Sequence, residues 1–276
     1  MDKIIDGRKL ALLRQQKLEE VIKTLYKTPK VVSILVGDDP PSVLYTNIKQ
    51  KKASEIGINF QPIHLVSPHV KWEEICTKIE ELNQDESVDG IMVQLPLPKE
   101  FLQGRDEKEL LKFIDSQKDV DGLNYAHKPS TFVPAAVKAV ISVLEDENIS
   151  VENKKVVVVG ASDLVGKPVS EELKKMGAEV TVIDSKTEDV KEKTLEADIL
   201  ISATGVPGLI TGEMVKVGVI VIDVGAEKVD GKVVGDVDFE SVEPKASRIT
   251  PVPGGVGPMT VISLMENVVE AIRKSD

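Results

Sequence analysis

Cysteine and aromatic residues are scarce in this 276-residue sequence, which has one cysteine, one tryptophan and 3% aromatic residues in all. A single thiol excludes an intrachain disulfide, so the reducing cytoplasm is the expected location. Hydrophobic residues make up 41% of the chain, and because few of them are aromatic, the cores must be aliphatic. No apolar run approaches the length of a membrane span, and residues 1–25 have an amphipathic helical pattern without a signal-peptide core.

Basic residues are outnumbered by acidic residues. The formal net charge is −11 and the isoelectric point is near 5.0. This balance argues against nucleic acid and anionic membranes as partners, since both attract basic surfaces. The three histidines His64, His69 and His127 show no metal-ligand spacing, so no metal site is expected.

Runs rich in Val and Ile alternate with helical patterns along the whole chain, which is typical of an α/β fold with parallel sheets. The predicted strands are 31–36, 59–65, 90–95, 155–160, 179–184, 198–203 and 217–224. The predicted helices are 9–26, 41–56, 72–83, 107–114, 134–146 and 259–274. A two-residue hairpin turn is predicted at Asp230-Gly231, between 227–229 and 232–234.

The length of the chain suits two α/β domains better than one. We expect one domain to comprise 1–122 and 260–276, because the closing helix should return to the first half. The second, residues 123–259, has the pattern of a Rossmann-like dinucleotide-binding domain. The segment 118–122 is predicted to be a hinge in which Gly122 adopts a positive φ, and the cleft between the domains is the expected active site.

Tyr45 and Lys49 lie four residues apart, which places a phenol and an amine on one face of a helix. Asp39-Pro40-Pro41 marks the start of this helix and Gly57 its end. The pair follows a predicted strand, where α/β folds bind ligands. Taken alone, the pair also fits a solvated lysine beside a half-buried tyrosine.

The segment Gly160–Pro168 indicates dinucleotide binding, because a glycine ends an apolar strand and Gly166 opens the next helix. Gly160 permits a sharp turn, Gly166 permits close packing of helix on sheet, and the helix amino terminus offers N–H groups to a phosphate. The spacing is not the standard Gly-x-Gly-x-x-Gly, so an ordinary strand–turn–helix corner is the alternative. Asp184 ends the next strand, either as a ribose-binding acid or as a turn cap.

Further candidate positions follow other predicted strands. Small residues at 203–208 and 223–226 would let a flat cofactor lie across the strand ends. The loop 250–260, rich in proline and glycine, is rigid and exposes backbone amides. Gln94 ends an apolar strand of the first half, where it can bond a neighbouring amine and a ligand. Asp121 lies in the 119–122 hinge, where its carboxylate could accept two hydrogen bonds from an amino-heterocycle. The alternative for both is a turn or cap role.

Together these residues resemble the bifunctional methylenetetrahydrofolate dehydrogenase/cyclohydrolase family. The matching stretches span nearly the whole chain in one order: 36–49, 90–98, 118–122, 160–168, 235–239 and 250–260. The resemblance implies oxidation of 5,10-methylenetetrahydrofolate with a nicotinamide cofactor, followed by hydrolysis of the methenyl product to 10-formyltetrahydrofolate. It further implies tetrahydrofolate derivatives as ligands and a homodimer formed through the dinucleotide-binding domain.

The resemblance also assigns roles to residues. Lys49 is the implied acid–base group, Tyr45 stacks on the folate, Gln94 bonds and tunes Lys49, and Asp121 holds the pterin. The implied substrate-binding residues are Ser42, Tyr45, Lys49, Val93, Gln94, Leu95, Asp121, Pro253, Gly254 and Gly257. The implied cofactor-binding residues are Gly160, Ala161, Ser162, Val165, Gly166, Asp184, Ser185, Thr204, Gly205, Gly225 and Ala226.

The chain departs from the family pattern mainly in its cofactor half. Ala161 replaces the usual arginine of Gly-Arg-Ser, and Asp184-Ser185 replaces a His-Ser-like strand end. The family's usual cofactor is NADP, but an acid at 184 would repel a 2′-phosphate and bond a free ribose hydroxyl, so NAD is favoured. Lys186 could still accommodate a phosphate. The segments 123–127 and 134–137 also differ from the family's Phe-His-Pro-x-Asn and Pro-Cys-Thr-Pro.

Three other functions compete with the bifunctional enzyme. The chain could carry only one of the two activities, or it could be a non-catalytic dinucleotide or folate sensor. It could also be a two-domain dehydrogenase of the amino-acid or shikimate type. Lys49 argues against a sensor, because binding alone does not need it. The loop 253–258 and the Tyr45–Lys49 pair argue against the third function.

Overall fold

The computed structural model of the chain describes residues 3–66, 70–125 and 132–274. Its internal contacts divide it into two compact units. The first unit consists of Arg14–Ala135 together with the chain from Val261 onward. The second unit consists of the chain up to Leu13 together with Ala136–Thr260.

Helices and strands alternate along the chain as the apolar pattern predicts. The strands are β1 (Lys30–Val36), β2 (Asn59–Leu65), β3 (Gly90–Val93), β4 (Lys155–Val159), β5 (Glu179–Ile183), β6 (Ile199–Ser202), β7 (Ile220–Asp223), β8 (Glu227–Val229), β9 (Lys232–Val234) and β10 (Arg248–Ile249). The α-helices are α1 (Gly7–Lys23), α2 (Pro40–Ile56), α3 (Trp72–Gln84), α4 (Lys99–Leu102), α5 (Glu107–Leu111), α6 (Ala135–Asp146), α7 (Gly166–Lys175), α8 (Val190–Leu195), α9 (Phe239–Val242) and α10 (Val256–Lys274). A short 3-10 helix spans Gly212–Met214.

The first unit is built on a parallel sheet in the order β2-β1-β3. An isolated parallel bridge between Ile91 and Asp119 extends this sheet on the β3 side. The sheet packs on an aliphatic core that includes Ile34, Ile79 and Leu110, each at most 1% exposed. Strands β1 and β3 are almost entirely buried. Parallel strands that are covered on both faces need apolar side chains on both, which explains their continuous apolar sequences.

The second unit contains a five-stranded parallel sheet in the order β10-β7-β6-β4-β5. The chain runs from β4 outward to β5 and then returns to the other side of β4 with β6. Ligands bind open α/β sheets at such a reversal, at the carboxyl ends of the two strands. The loops that follow β4 and β6 therefore meet where a ligand is expected.

The local signals for α2 are confirmed. The Asp39 side chain caps the helix by accepting a hydrogen bond from the N–H of Ser42 at 3.0 Å, and prolines occupy the first helical positions. Gly57 ends the helix in a left-handed conformation with φ +87°. The hairpin turn is confirmed too, since Asp230 and Gly231 both have positive φ, as a two-residue hairpin requires.

Element boundaries differ from the prediction in a few places. Strand β3 ends at Val93 and not at Leu95, because Pro96 has no N–H to continue the ladder. Helix α1 begins at Gly7, two residues early, since the Asp6 carboxylate accepts the N–H groups of Arg8 and Lys9. Helix α10 begins at Val256, three residues early. The two-residue strand β10 was not predicted.

The division into compact units also differs from the predicted domains. Residues before Arg14 contact the second unit, because Ile5 donates to the carbonyl of Ile249 at 2.8 Å and Ile249 donates to that of Lys3 at 2.9 Å. Gly7 lies so close to the Gly255 carbonyl that a Cβ at position 7 would overlap it. In this division the chain passes from one unit to the other near residue 135, at the start of α6. Within the described ranges no helix is long and apolar enough to cross a membrane.

Candidate functional site

Lys49 and Gln94 are brought together in the first unit. Lys49 lies in the third turn of α2, and Gln94 is the residue that follows β3. The Lys49 Nζ donates a hydrogen bond to the Gln94 Oε1 at 3.1 Å. The Gln94 amide is itself oriented, since its Nε2 donates to the carbonyl of Leu95 at 2.7 Å. Gln94 is buried, so the hydrogen-bond partner of the amine is a fixed neutral acceptor.

The amine of Lys49 is perturbed by its surroundings. Burial lowers the pKa of the Lys49 amine, because removing water disfavours the charged form, and the negative charge of Asp121 offsets part of this effect. Desolvation therefore increases the fraction of uncharged amine near neutral pH, and the neutral Gln94 acceptor adds no charge that would oppose this. Such an amine can accept and return a proton.

Tyr45 lies one turn before Lys49 and is 42% exposed. No described residue bonds to its hydroxyl, so the partly exposed phenol is available to a ligand. Ser42 differs from the other predicted substrate-binding residues of α2. It is buried, and its hydroxyl donates to the capping carboxylate of Asp39 at 2.8 Å.

Asp121 is half-buried in the turn that follows the Ile91–Asp119 bridge. Among the residues that the structure describes, none donates a hydrogen bond to its carboxylate. Its main-chain carbonyl accepts the N–H of Ala135 at 3.1 Å, so the backbone is anchored while the side chain remains available. Gly122 has the predicted positive φ, at +71°. The first unit therefore contains an amine, an amide, an accessible phenol and an unpaired carboxylate.

The glycines of the dinucleotide segment behave as predicted. Gly160 ends β4 with φ +111°, and a Cβ there would overlap the carbonyl of Ala203 at the end of β6. A Cβ at Gly166 would overlap the carbonyl of Gly160. Helix α7 therefore begins pressed against the strand end, at the point where the sheet order reverses.

The first amides of α7 are not free, contrary to the prediction. The Ser162 hydroxyl accepts the N–H groups of Val165 and Gly166 at 3.2 and 3.3 Å, and the Ser162 carbonyl accepts that of Lys167 at 3.0 Å. Serine is a strong capping residue, so it satisfies donors that were predicted to face a phosphate.

Asp184 follows β5 and is exposed, as is Ser185. Its Oδ1 accepts hydrogen bonds from the N–H of Lys186 at 3.0 Å and from the hydroxyl of Thr187 at 2.8 Å. The hydroxyl of Thr187 holds the pKa of the Asp184 carboxyl below its usual range, with help from the Lys186 amide. Asp184 is thus a turn cap, and both of these bonds end on one of its two oxygens.

Hydrogen bonds to two buried carboxylates, those of Asp223 and Asp236, link the small-residue segments 203–208 and 223–226 that follow β6 and β7. The Asp236 Oδ2 accepts the hydroxyl of Ser202 at 2.9 Å and the N–H of Thr204 at 2.6 Å. Asp223 accepts three backbone N–H groups, those of Gly225, Asp236 and Val237, at 3.0 to 3.2 Å. A Cβ at Gly225 would overlap the Asp236 carboxylate. Gly205 and Ala226, also predicted to bind cofactor, are exposed beside these bonds.

The loop that precedes α10 has the predicted constrained backbone. Gly254 has φ +116°, and a Cβ at Gly255 would lie 2.6 Å from the carbonyl oxygen of Pro251. Pro253 and Gly257 are exposed and Gly254 is buried. These residues belong to the second unit, whereas Lys49, Gln94 and Asp121 belong to the first.

Three buried polar residues beside the candidate site were not singled out by the sequence analysis. Asp119, Asp236 and Asn267 are each about 99% buried and bond to backbone groups at the edges described above. The dipeptide Asp-Val occurs at 119–120, 189–190, 223–224 and 236–237, and in every case except 189–190 it is followed by Asp or Gly. That repetition is a signal that could have revealed the two aspartates, whereas nothing local distinguishes Asn267.

Some predictions fall outside the described residues, namely those on His69 and on Ala126 and His127 of the departing segment 123–127. Among the residues that are described, no group of three or more His, Cys, Asp or Glu side chains could hold a metal ion.

Comparison with known proteins gives matches along both halves of the chain. Residues 5–121 match the model of the tetrahydrofolate dehydrogenase/cyclohydrolase catalytic domain, and residues 134–276 match that of the family's NAD(P)-binding domain. The bifunctional protein FolD of Lactobacillus acidophilus is 45% identical over 285 aligned positions, which cover 100% of this chain and 99% of that protein.

Solved structures agree with these matches. The bifunctional FolD enzyme of Campylobacter jejuni is 40% identical and superposes with a TM-score of 0.92, covering 99% of both chains. The Trypanosoma brucei FolD, solved in complex with NADP and an inhibitor, is 34% identical with a TM-score of 0.88, covering 99% of this chain and 97% of that one.

Proposed function

The chain belongs to the tetrahydrofolate dehydrogenase/cyclohydrolase family, and on that basis we propose which of its residues carry the two reactions. It is a bifunctional enzyme of folate one-carbon metabolism. It oxidises 5,10-methylenetetrahydrofolate to the 5,10-methenyl cation with a nicotinamide dinucleotide, which accepts the hydride when bound. It then hydrolyses the cation to 10-formyltetrahydrofolate.

Lys49 is the acid–base group of the hydrolysis. The observation that carries this role is the hydrogen bond from its Nζ to the Gln94 Oε1 at 3.1 Å, combined with the lowered pKa of the amine. The uncharged amine accepts a proton from water as the water oxygen bonds to the methenyl carbon. One of the two water protons ends on the ring nitrogen whose bond to that carbon breaks, and the other is released.

The neighbouring residues orient the folate. Tyr45 offers an accessible ring for stacking. The unpaired carboxylate of Asp121 accepts hydrogen bonds from the amino-substituted pterin ring. We assign the remaining substrate contacts, as the family resemblance implies, to Ser42, Val93, Leu95, Pro253, Gly254 and Gly257. Ser42 would contribute through its oxygen lone pairs or through packing, since its hydroxyl already donates a hydrogen bond to the Asp39 carboxylate.

The dinucleotide-binding residues fit a flat cofactor that lies across the strand ends. A Cβ at Gly160, Gly166 or Gly225 would overlap neighbouring backbone or carboxylate atoms, so the strand ends offer a surface of close-packed main chain. The residues assigned to the cofactor are Gly160, Ala161, Ser162, Val165, Gly166, Asp184, Ser185, Thr204, Gly205, Gly225 and Ala226.

The preferred cofactor is NAD, although the Trypanosoma brucei relative was solved with NADP. Ala161 offers no cation for a 2′-phosphate, and the exposed Asp184 carboxylate, whose pKa the Thr187 hydroxyl lowers further, is ionised in the neutral range. An ionised acid repels a phosphate and accepts a hydrogen bond from a ribose hydroxyl.

Further proposals concern organisation. The catalytic domain is 1–122 with 260–276, and 123–259 binds the dinucleotide. Two copies associate through the latter, which exposes apolar side chains such as Val229 and Val233 on its hairpin. Sedimentation of the purified chain tests the dimer, and a monomer at micromolar concentration would contradict it.

The enzyme works in the cytoplasm, in keeping with its single free Cys76.

The role of Lys49 is tested by Lys49→Met. We expect methenyltetrahydrofolate hydrolysis to fall by a factor of about 10² to 10⁴, the usual contribution of a positioned acid–base group. The thermal transition should persist, because a methionine fills the same space without a charge. The matched control is Lys51→Met, an exposed lysine of the same helix. Undiminished hydrolysis by Lys49→Met would remove the proposed role.

A further inference from the structure

We propose that Asp119 and Asn267 are positioning residues for folate binding, which hold the turn that presents the Asp121 carboxylate. The inference deepens the proposed function and rests on the role that it gives to Asp121. Neither residue is expected to touch substrate, since each is only 1% exposed. Both act on the backbone immediately beside Asp121.

Asp119 closes the turn from the inside. Its Oδ1 accepts the N–H groups of Gly122 and Leu123 at 3.1 and 3.3 Å, and its Oδ2 accepts that of Asn124 at 3.0 Å. Its own carbonyl accepts the N–H of Gly122 as well, at 3.0 Å. One carboxylate therefore gathers three consecutive amides, and the chain must fold around it directly after Asp121.

Asn267 holds the other side of the same turn from helix α10. Its Nδ2 donates to the carbonyl of Val120 at 2.9 Å and to that of Val133 at 3.0 Å. Val120 immediately precedes Asp121, and Val133 lies two residues before Ala135, which donates to the Asp121 carbonyl. The carboxamide thus ties together the segments that enter and leave the site, 147 and 134 residues away in sequence.

Packing leaves this turn little freedom. A Cβ at Gly122 would lie 2.8 Å from backbone atoms of Pro134 and 2.9 Å from the carbonyl oxygen of Phe132. Hydrogen bonds at Val120, Asp121 and Gly122 anchor this backbone, while the Asp121 carboxylate accepts no hydrogen bond from a described residue. A side chain with free hydrogen-bonding capacity, whose backbone is held by buried and fully hydrogen-bonded residues, is typical of a preformed binding site.

Burying the Asp119 carboxylate so close to Asp121 is unfavourable in itself, since desolvation and the neighbouring negative charge both oppose ionisation. An apolar residue would avoid that cost, but it would leave three buried amides without an acceptor. The buried carboxylate of Asp119 is therefore explained by the conformation that its hydrogen bonds impose on the turn.

The test is a double-mutant cycle of Asp119→Asn and Asp121→Asn, with the methenyltetrahydrofolate KM and kcat of hydrolysis as readouts. Asparagine keeps the size of the side chain but replaces one acceptor oxygen by a donor. We expect each single variant to raise the folate KM about 10-fold, the effect of one lost hydrogen bond, while kcat changes less. Because Asp119 acts through Asp121, Asp119→Asn should change the KM by less than twofold in the Asp121→Asn background.

The matched control is Asp223→Asn. Asp223 is also a buried carboxylate that accepts three backbone amides, but it belongs to the dinucleotide-binding half. It should raise the KM of the nicotinamide cofactor in the dehydrogenase assay and leave the folate KM of hydrolysis within twofold. A folate effect of the same size in both variants would show general destabilisation and overturn the inference.

The remaining outcomes also discriminate. Multiplicative effects in the double variant, or an unchanged folate KM in Asp119→Asn, would overturn the positioning role while leaving that of Asp121 intact. An unchanged folate KM in Asp121→Asn would instead overturn the role that the proposed function gives to Asp121. If Asp119→Asn does not fold, Asn267→Ala replaces it in the cycle, with the same expected coupling to Asp121.

Discussion

The amine of Lys49 and the amide oxygen of Gln94 are joined by a hydrogen bond of 3.1 Å that links helix α2 to the end of strand β3. The bond lets a lysine sit in a desolvated position beside a neutral acceptor. A carboxylate partner would stabilise the charged amine and remove it from acid–base chemistry near neutral pH. The amide at position 94 therefore avoids the increase in the pKa of Lys49 that a carboxylate there would cause.

That choice predicts the behaviour of Gln94→Glu. A carboxylate at 94 raises the pKa of Lys49, because an opposite charge favours the ammonium form, and the uncharged fraction near pH 7 falls. We expect hydrolysis at pH 7 to drop by about 10-fold, with recovery toward alkaline pH. The check is the pH–rate profile of the wild type against the variant.

Gln94→Leu serves as the comparison for that profile, since it removes the acceptor without adding charge. Its pH dependence should not move toward alkaline pH. An alkaline shift of equal size in both variants would mean that the charge at 94 is not responsible.

Cofactor preference is expected to depend on Asp184. In the dehydrogenase assay, kcat/KM should be higher with NAD than with NADP, and Asp184→Ser should reduce the NAD:NADP ratio by about 10-fold, since one repulsive charge is removed. Glu179→Ser is the matched control, because it removes the same charge from the opposite end of strand β5. A wild-type preference for NADP would refute the assignment.

Stability should depend on pH through the buried carboxylates. Burial raises the pKa of Asp119 to about 6, well above its ordinary value. The folded protein therefore binds this proton more tightly than the unfolded chain, and the contribution to stability is present at low pH and lost as pH rises through about 6. Between pH 7 and pH 5 the wild type should gain about 1 kcal/mol relative to Asp119→Asn.

Urea unfolding of both proteins at the two pH values measures this difference. Asp223, whose pKa burial also raises to about 6, offers an independent repeat through Asp223→Asn. A difference that is constant between pH 5 and pH 7 would show that Asp119 does not titrate in this range.

Gly122→Ala should destabilise the chain more than Gly104→Ala. Both glycines have positive φ, +71° and +86°, so each substitution incurs a similar backbone penalty of about 1–2 kcal/mol. Only Gly122 is crowded, with the Pro134 backbone 2.8 Å from its missing Cβ, whereas nothing lies within 4 Å at Gly104. We expect an extra loss of about 1–3 kcal/mol in the free energy of unfolding, measured by denaturant titration, and equal losses would contradict it.

Much of the fold was readable from the sequence because its signals are local. Strand β2 and both hairpin strands have the predicted bounds, and the capping residue Asp39 and the terminating Gly57 delimit α2 as expected. The spacing of Tyr45 and Lys49, and the glycines at 160 and 166, were likewise sufficient to indicate the candidate site. The bifunctional family was predicted from such motifs and is confirmed.

Other features could not be predicted, because they depend on which distant groups meet. The sequence indicated an amine at 49 but not how far its pKa is lowered, which follows from burial between α2 and β3. It assigned the α7 amides to a phosphate, whereas the side chain of Ser162 already caps them.

By itself, then, the sequence determined the elements, the parallel sheets and the chemical groups, since periodicity and turn chemistry act within a few residues. Only the tertiary structure decided which buried polar atoms satisfy one another. Asn267 reaches a carbonyl 147 residues away, and Asp119 is committed to three amides while Asp121, two positions later, stays available. A buried polar atom without a hydrogen-bond partner destabilises the fold, so almost every such atom must be paired. Because the partners are distant in sequence, the local sequence pattern does not reveal these pairs.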